Sequence, residues 1–134
     1  MKKGIFLAAV AALLVSVGLV TRAHVSRTAA QPAPADTLVV NTTDLCKDVI
    51  GYDGPTPLKI TVVKGVVAKV EALENTESPS YFDRVLQSGL LQKVVGKTPA
   101  EAVKMPLDAV SGATYSSEAI IENLRAGLKE AAKK

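Results

Sequence analysis

The sequence has one cysteine and one histidine, which limits the chemistry that it can support. Cys46 has no second thiol in the chain, so an internal disulfide is excluded. Zinc and related sites need clusters of cysteine, histidine or carboxylate ligands, and His24 stands far from Cys46 in the sequence. We therefore expect no metal site, and we interpret Cys46 as a free thiol on a strand, packed as a small apolar residue.

The folded part of the chain also lacks an excess of basic residues. The formal charge is +3, but four basic residues lie within the first 27 positions. From Asp36 onward the chain has 12 Lys or Arg and 13 Asp or Glu, so this part carries a charge of about −1. Proteins that bind nucleic acid neutralise phosphates with a cationic surface, so we do not expect a nucleic-acid-binding protein.

The only long apolar run lies at the N-terminus. Lys2 and Lys3 precede the uncharged segment 4–21, which is rich in Ala, Val and Leu. A basic start before an apolar segment is typical of a secretory signal peptide. Its eighteen residues are also just enough to cross the core of a bilayer. We predict that residues 1–27 form a cleaved signal peptide or a single membrane anchor; a buried core helix is the alternative.

Residues 28–36, TAAQPAPAD, contain small residues and proline without a hydrophobic period. Such a composition is typical of an extended, semi-stiff linker. The sequence therefore predicts a linker over 28–36 and one domain over 37–134. Because the leader indicates export, we expect an extracytoplasmic location, periplasmic or at the cell surface, with or without an anchor in the cytoplasmic membrane.

The first half of this domain has the patterns of β-strands. Thr37–Asn41 and Leu45–Val49 are short β-prone stretches. Apolar and polar residues alternate over Leu58–Val62, which predicts a half-buried strand. Lys64 and Gly65 suit a two-residue turn, after which Val66–Leu73 is predicted to return as the partner strand.

The second half has the patterns of helices. We predict a helix that begins at Pro79 after the N-cap Ser78, a second short helix that ends at Gly96, and a capping box at Thr98–Glu101. One apolar face marks a C-terminal amphipathic helix: Ile120, Ile121, Leu124, Leu128 and Ala131. The predicted fold class is α+β, a small antiparallel sheet packed by a few helices and preceded by an apolar leader or anchor helix.

The stretch DAVSGATYSS, Asp108–Ser117, directly precedes the last predicted helix and is rich in hydroxyl groups. Small residues such as Gly112 let a backbone approach a ligand closely, and the N-terminus of a helix favours an anion. Ser116 and Ser117 add hydroxyl groups, and we expect one of them to cap the helix. The stretch therefore suits a phosphate group; an ordinary turn followed by a capped helix is the alternative interpretation.

Residues 108–114, Asp-Ala-Val-Ser-Gly-Ala-Thr, resemble the flavinylation motif Asp-x-x-Ser/Thr-Gly-Ala-Thr/Ser of FMN-binding domains. These domains include the C subunit of the sodium-translocating NADH:quinone oxidoreductase and the G subunit of the Rnf complex. Gly51–Pro55 is similar to the Gly-Tyr-x-Gly-Pro turn of that family, and Glu77–Pro79 to its Glu-Thr-Pro element. Asp83-Arg84 matches the polar pair that follows. The chain departs from the family at Ser80 and Phe82, where glycine is common.

The resemblance implies that Thr114 carries FMN through a phosphoester. In the family, a separate Mg²⁺-dependent flavin transferase makes this bond and uses FAD as its substrate. By the same resemblance we expect the phosphate to be held by the residues around Thr114: Ser111, Gly112, Ala113, Ser116 and Ser117. Asp108 is expected to orient the loop or to be recognised by the transferase. Because like charges repel, we do not expect it to touch the phosphate.

Other residues are expected to lie near the isoalloxazine ring: Glu77, Ser78, Pro79 and Tyr81. A place in the core is the alternative for Tyr81. Phe82 and Tyr52 suit either the ring or the core, and Tyr115 suits stacking on the ring or exposure to water. The function that the resemblance implies is an exported electron-transfer flavoprotein rather than an enzyme by itself, with a membrane reductase or another redox protein as partner. Two alternatives stay open, namely a module that binds FMN reversibly and an exported binding domain without flavin.

Overall fold

The structure, a computed structural model, describes residues 36–134; the predicted leader and residues 28–35 of the linker lie outside the described residues. A three-stranded antiparallel sheet forms from β1 (Thr37–Asn41), β2 (Leu58–Val63) and β3 (Val66–Ala72). The strands lie in the order β1-β2-β3, with Thr37 opposite Val63 and Leu58 opposite Ala72. The α+β class predicted from the sequence is confirmed.

The hairpin of β2 and β3 follows the prediction from the sequence. Residues of β2 alternate between buried and half-buried, which is the expected period of two. Lys64 and Gly65 both have positive φ angles, 51° and 78°, and join the strands in two residues. In β3 the register shifts by one residue at Ala68, so that Val67 and Val70 both reach the buried face.

Four helical elements follow the sheet. They are α1 (Pro79–Gln87), a 3-10 turn (Leu91–Val94), α2 (Pro99–Ala102) and α3 (Thr114–Ala132). The capping box at the start of α2 is confirmed, because Thr98 accepts the Glu101 N–H and the Glu101 carboxylate accepts the Thr98 N–H. No helix of residues 36–134 combines the length and the apolar character needed to cross a membrane.

One expectation about local structure is wrong. Leu45–Val49 forms turns instead of a strand, so Cys46 is buried as expected but does not lie on a strand. The Cys46 N–H donates to the Thr42 carbonyl, and the Asn41 side chain accepts the Thr43 N–H. These local bonds outweigh the β-propensity of the segment. Ser78 occupies the predicted N-cap position of α1, although its side chain makes no capping hydrogen bond.

The core lies between one face of the sheet and the helices, with α3 packed across β1 and β2. Its fully buried side chains are mostly aliphatic: Leu58, Ile60, Val67, Val85, Leu90, Val94, Ile120, Leu124 and Leu128. At Gly127, α3 lies directly against the sheet. A Cβ atom there would lie 2.5 Å from Ile60 Cδ1 and 2.8 Å from Thr42 Cγ2, so the absence of a side chain lets the helix pack closely.

A buried polar network joins α3 to the sheet. The Thr42 hydroxyl donates to Asn123 Oδ1 at 2.6 Å and accepts the Leu58 N–H at 2.9 Å. Asn123 Nδ2 donates to Thr56 Oγ1 at 3.3 Å and to the Ala119 carbonyl at 3.0 Å. Each buried polar group in the network has a partner, which is the condition under which such a network stabilises a fold.

We expect Asn123→Ala to lower the free energy of unfolding by about 1–3 kcal/mol, because it leaves the buried hydroxyls of Thr42 and Thr56 without the amide. Urea denaturation followed by circular dichroism measures the change. Lys129→Ala, at an exposed position of the same helix, is the control and is expected to change the value by less than about 0.5 kcal/mol. Equal effects of the two substitutions would contradict the role of the network.

Candidate functional site

The hydroxyl-rich stretch forms a loop that leads directly into α3. The Ala113 N–H donates to the Val110 carbonyl at 2.9 Å, which closes a tight turn over Ser111 and Gly112. Gly112 has a φ of +80°, in the left-handed region that favours glycine. Helix α3 then begins at Thr114, with Ala113 at the N-cap position.

No side chain of the described part of the chain caps this helix start. The expected serine cap is therefore wrong. The helix begins earlier than predicted, which places Ser116 and Ser117 inside its first turns. The N–H groups of the first turn, at residues 114–116, point out of the helix towards the loop without a side-chain partner. These donors and the helix dipole favour an anion at this place.

The four hydroxyl groups of the loop divide into two pairs. Ser111 and Thr114 are exposed, whereas Ser116 and Ser117 are buried. The Ser117 hydroxyl accepts the Val110 N–H at 2.9 Å and donates to the Thr114 carbonyl at 3.0 Å, so it holds the loop in shape. The Ser116 hydroxyl donates to the Glu77 carboxylate. Only the exposed pair is therefore open to a reaction partner.

The Glu77 carboxylate is the centre of the polar contacts beneath this loop. It is 6% exposed and accepts the N–H groups of Asp53 at 2.7 Å, Gly54 at 2.9 Å and Tyr52 at 3.2 Å. With the Ser116 hydroxyl, it therefore has four donors. The carboxylate thus joins the turn 51–55 to the first turn of α3, two segments that are more than fifty residues apart in the sequence.

Burial of the Glu77 carboxyl raises its pKa, but the hydrogen bonds act in the opposite direction. The donors are the Ser116 hydroxyl and the backbone N–H groups of the turn, and together they hold the pKa below its ordinary value of 4.5. Gly51 permits this arrangement, because a Cβ atom at that position would lie 2.8 Å from Glu77 Oε1. The charged form of Glu77 is therefore the one that the fold stabilises.

A cleft of about 250 Å³ opens beside Thr114. Its lining combines tyrosine side chains with the motif loop and the start of α3: Tyr52, Tyr81, Gly112, Ala113, Thr114, Tyr115 and Ser116. The rings of Tyr52 and Tyr81 are in contact, with centroids 4.7 Å apart and planes tilted by 56°. Tyr115 is 69% exposed at the rim. Phe82 is buried in the hydrophobic core and does not line the cleft.

Four of the predicted site residues do not line this cleft. Ser78 is half-buried and Pro79 is exposed at the start of α1, and neither lines the cleft. Ser111 lies on the tip of the loop. Asp108 is exposed and lines a separate open groove of about 580 Å³ along α3, beside Glu118 and Arg125. The cofactor-binding roles given to these residues stay predictions.

Two features of the site were missed from the sequence. The bond between Ser116 and Glu77 could not be expected from residues that are 39 positions apart. The sequence indicates Arg84 only as part of a polar pair, but in the structure its side chain lies against Gly112 of the motif loop. The helical spacing from Pro79 places Arg84 late in α1, but no signal in the sequence indicates which loop that end of the helix meets.

The arrangement can hold a flat aromatic ligand that bears a phosphate. Tyrosine side chains suit stacking on such a ring. The uncapped helix start suits the anion. Thr114 is exposed, lines the cleft and is the first residue of α3, so its hydroxyl is close to both features. The residues present therefore fit a flavin nucleotide.

Comparison with known proteins agrees with this chemistry. A family model described as the FMN-binding domain matches residues 51–129. The match begins at the turn that Glu77 holds and ends within α3, so it includes the whole motif loop and covers 79 of the 134 residues. No curated protein matches the chain.

We expect Glu77→Gln to lower the free energy of unfolding by about 1–3 kcal/mol near neutral pH, because an amide replaces one acceptor oxygen by a donor that faces other donors. The pKa of Glu77 is lowered in the folded state, so its contribution is complete above the ordinary value of 4.5 and is lost as the pH falls through the lower folded value. The difference between wild type and variant should therefore shrink below about pH 4.5.

Urea denaturation of both proteins over a series of pH values measures this difference. Glu74→Gln, at an exposed carboxyl, is the matched control and should leave the free energy of unfolding nearly unchanged. A difference that stays constant from neutral to acid pH would contradict the role of the Glu77 charge.

Proposed function

The chain belongs to the FMN-binding domain family, and we propose that it is an exported electron-transfer flavoprotein with FMN attached to Thr114 through a phosphoester. The family match is the evidence for the binding of FMN. The covalent bond, the export and the electron transfer are the parts that we propose, and each is supported by different residues.

The observation that supports the proposed covalent bond is the exposure of Thr114 at the cleft. Of the four hydroxyl groups of the loop, Ser116 and Ser117 are buried and engaged in hydrogen bonds. Ser111 is exposed but does not line the aromatic cleft. Thr114 combines exposure, a place in the cleft and a place at the helix start, so a nucleotide on its oxygen has both its ring and its phosphate beside suitable groups.

The proposed attachment is a phosphoryl transfer from FAD. The Thr114 oxygen attacks the phosphorus on the FMN side of the FAD diphosphate, a new P–O bond forms, and the bond to AMP breaks. The hydroxyl proton passes to a base, and AMP leaves. An unassisted threonine alcohol is a weak nucleophile. Among residues 36–134 no histidine is present to activate it, which supports the need for a separate, Mg²⁺-dependent flavin transferase.

The protein's own part is to hold the cofactor in place. Bound FMN supplies the ability to accept and donate electrons, as cofactors generally carry the redox chemistry of their proteins. Tyr52 and Tyr81 provide the aromatic wall, and the Glu77 carboxylate fixes the turn that carries Tyr52 relative to α3. The cleft is open to solvent at Tyr115, which suits exchange of electrons with a membrane reductase or another redox partner.

Export is proposed from the N-terminal sequence. The N-terminal sequence has the order that is typical of a secretory leader or anchor followed by a tether. Lys2 and Lys3 come first, then the apolar segment 4–21, and then the proline-containing linker. On this proposal the domain works outside the cytoplasmic membrane, in the periplasm or at the cell surface, and is anchored if the leader is retained.

The first test is the intact mass of the protein after co-expression with a flavin transferase. We expect wild type to gain the mass of FMN less one water and to stay yellow after denaturation. Thr114→Ser, which keeps a hydroxyl, should gain the same mass, and Thr114→Val should not. Peptide mapping should place the flavin on residue 114. A flavin that is released on denaturation would indicate reversible binding, and a flavin on another residue would refute the proposal.

The second test is the location of the full chain in cells. Wild type should be recovered outside the cytoplasm or with the cytoplasmic membrane, whereas a chain without residues 2–27 should stay in the cytoplasm. Cell fractionation with immunoblotting measures the distribution, and N-terminal sequencing of the exported form distinguishes cleavage from retention. Cytoplasmic recovery of the full chain would contradict export.

A further inference from the structure

Arg84 lies against the motif loop at Gly112 but does not line the aromatic cleft. Its side chain is exposed near the C-terminal end of α1 and extends to Gly112. A Cβ atom built on Gly112 would lie 2.7 Å from Arg84 Nη1 and 3.5 Å from Cζ. The guanidinium group therefore occupies the space that a side chain at residue 112 would take.

This guanidinium group has no protein counter-ion within residues 36–134. Arg84 takes part in none of the ion pairs of this region, although Asp83 precedes it in α1. Its side chain also donates no hydrogen bond to another described residue. An arginine held against a loop without an anionic partner has its five N–H donors available for a ligand.

We infer that Arg84 binds the phosphate of the flavin nucleotide, and that Gly112 is required in part because it leaves room for this guanidinium group. The inference rests on the proposed function only for the identity of the ligand. A phosphodiester on Thr114 keeps one negative charge, two residues along the loop from the glycine that Arg84 touches. Guanidinium groups pair with phosphate oxygens through two parallel hydrogen bonds, which an ammonium group cannot reproduce.

Two kinds of donor would thus meet the phosphate from different elements. The first-turn N–H groups of α3 approach it along the helix axis, and Arg84 approaches it from α1. Arg84 neutralises the negative charge of the phosphate, which the uncapped helix start offsets only in part. This assigns to the C-terminal part of α1 a function in phosphate binding, whereas the resemblance placed only the start of this helix near the flavin ring.

The experiment compares FMN with riboflavin, which lacks the phosphate. The full chain, produced without a transferase, is titrated with each flavin, and quenching of flavin fluorescence gives the two dissociation constants. In Arg84→Gln we expect the affinity for FMN to fall about tenfold, while that for riboflavin is unchanged, because a charge-assisted hydrogen bond is lost only from the phosphate. Arg84→Lys should fall between wild type and Arg84→Gln.

Arg125→Gln is the matched control, since Arg125 is exposed on α3 beside the separate groove that contains Asp108. It should leave both dissociation constants unchanged, and circular dichroism of each variant checks the fold. An unchanged ratio of FMN to riboflavin affinity in Arg84→Gln would overturn the inference, and so would a wild-type chain that binds neither flavin. The result does not depend on the covalent bond, so a failure of attachment at Thr114 is recognised separately by mass.

Discussion

The site depends on one buried carboxylate. Removal of Glu77 from water would be unfavourable by itself, but its charge is met by three backbone N–H groups and one hydroxyl. These donors belong to the turn 51–55 and to the first turn of α3, and Glu77 itself precedes α1. A single side chain therefore fixes the relative positions of three segments, and the aromatic cleft lies between them.

The same arrangement explains the abundance of hydroxyl groups in the motif loop. The two buried serines stabilise the fold. Ser116 donates to Glu77, and Ser117 holds the loop by hydrogen bonds with Val110 and Thr114. Thr114 is left exposed at the cleft. The helix start has no side-chain cap, which in most helices would leave the first N–H groups to water. Here those groups lie beside Thr114, where we propose that the phosphate of FMN is attached.

Much of the local structure could be predicted from the sequence, because it depends on neighbouring residues. The alternation in β2, the turn at Lys64 and Gly65, and the capping box at Thr98 are set by side-chain period, by φ preference and by bonds across three residues. The segment Leu45–Val49 was mispredicted for a related reason. Its residues are β-prone, but its Asn and Thr neighbours offer the backbone hydrogen bonds that favour turns.

The sequence by itself determined the family, through a motif whose residue types and spacing are read without coordinates. It could not determine which of the loop's hydroxyls are buried, because burial depends on where α3 begins and on what lies beneath it. Only the tertiary structure brought Glu77 under Ser116 and Arg84 against Gly112. These pairs are far apart along the chain, and the packing of helices on the sheet decides such contacts, whereas local propensity does not.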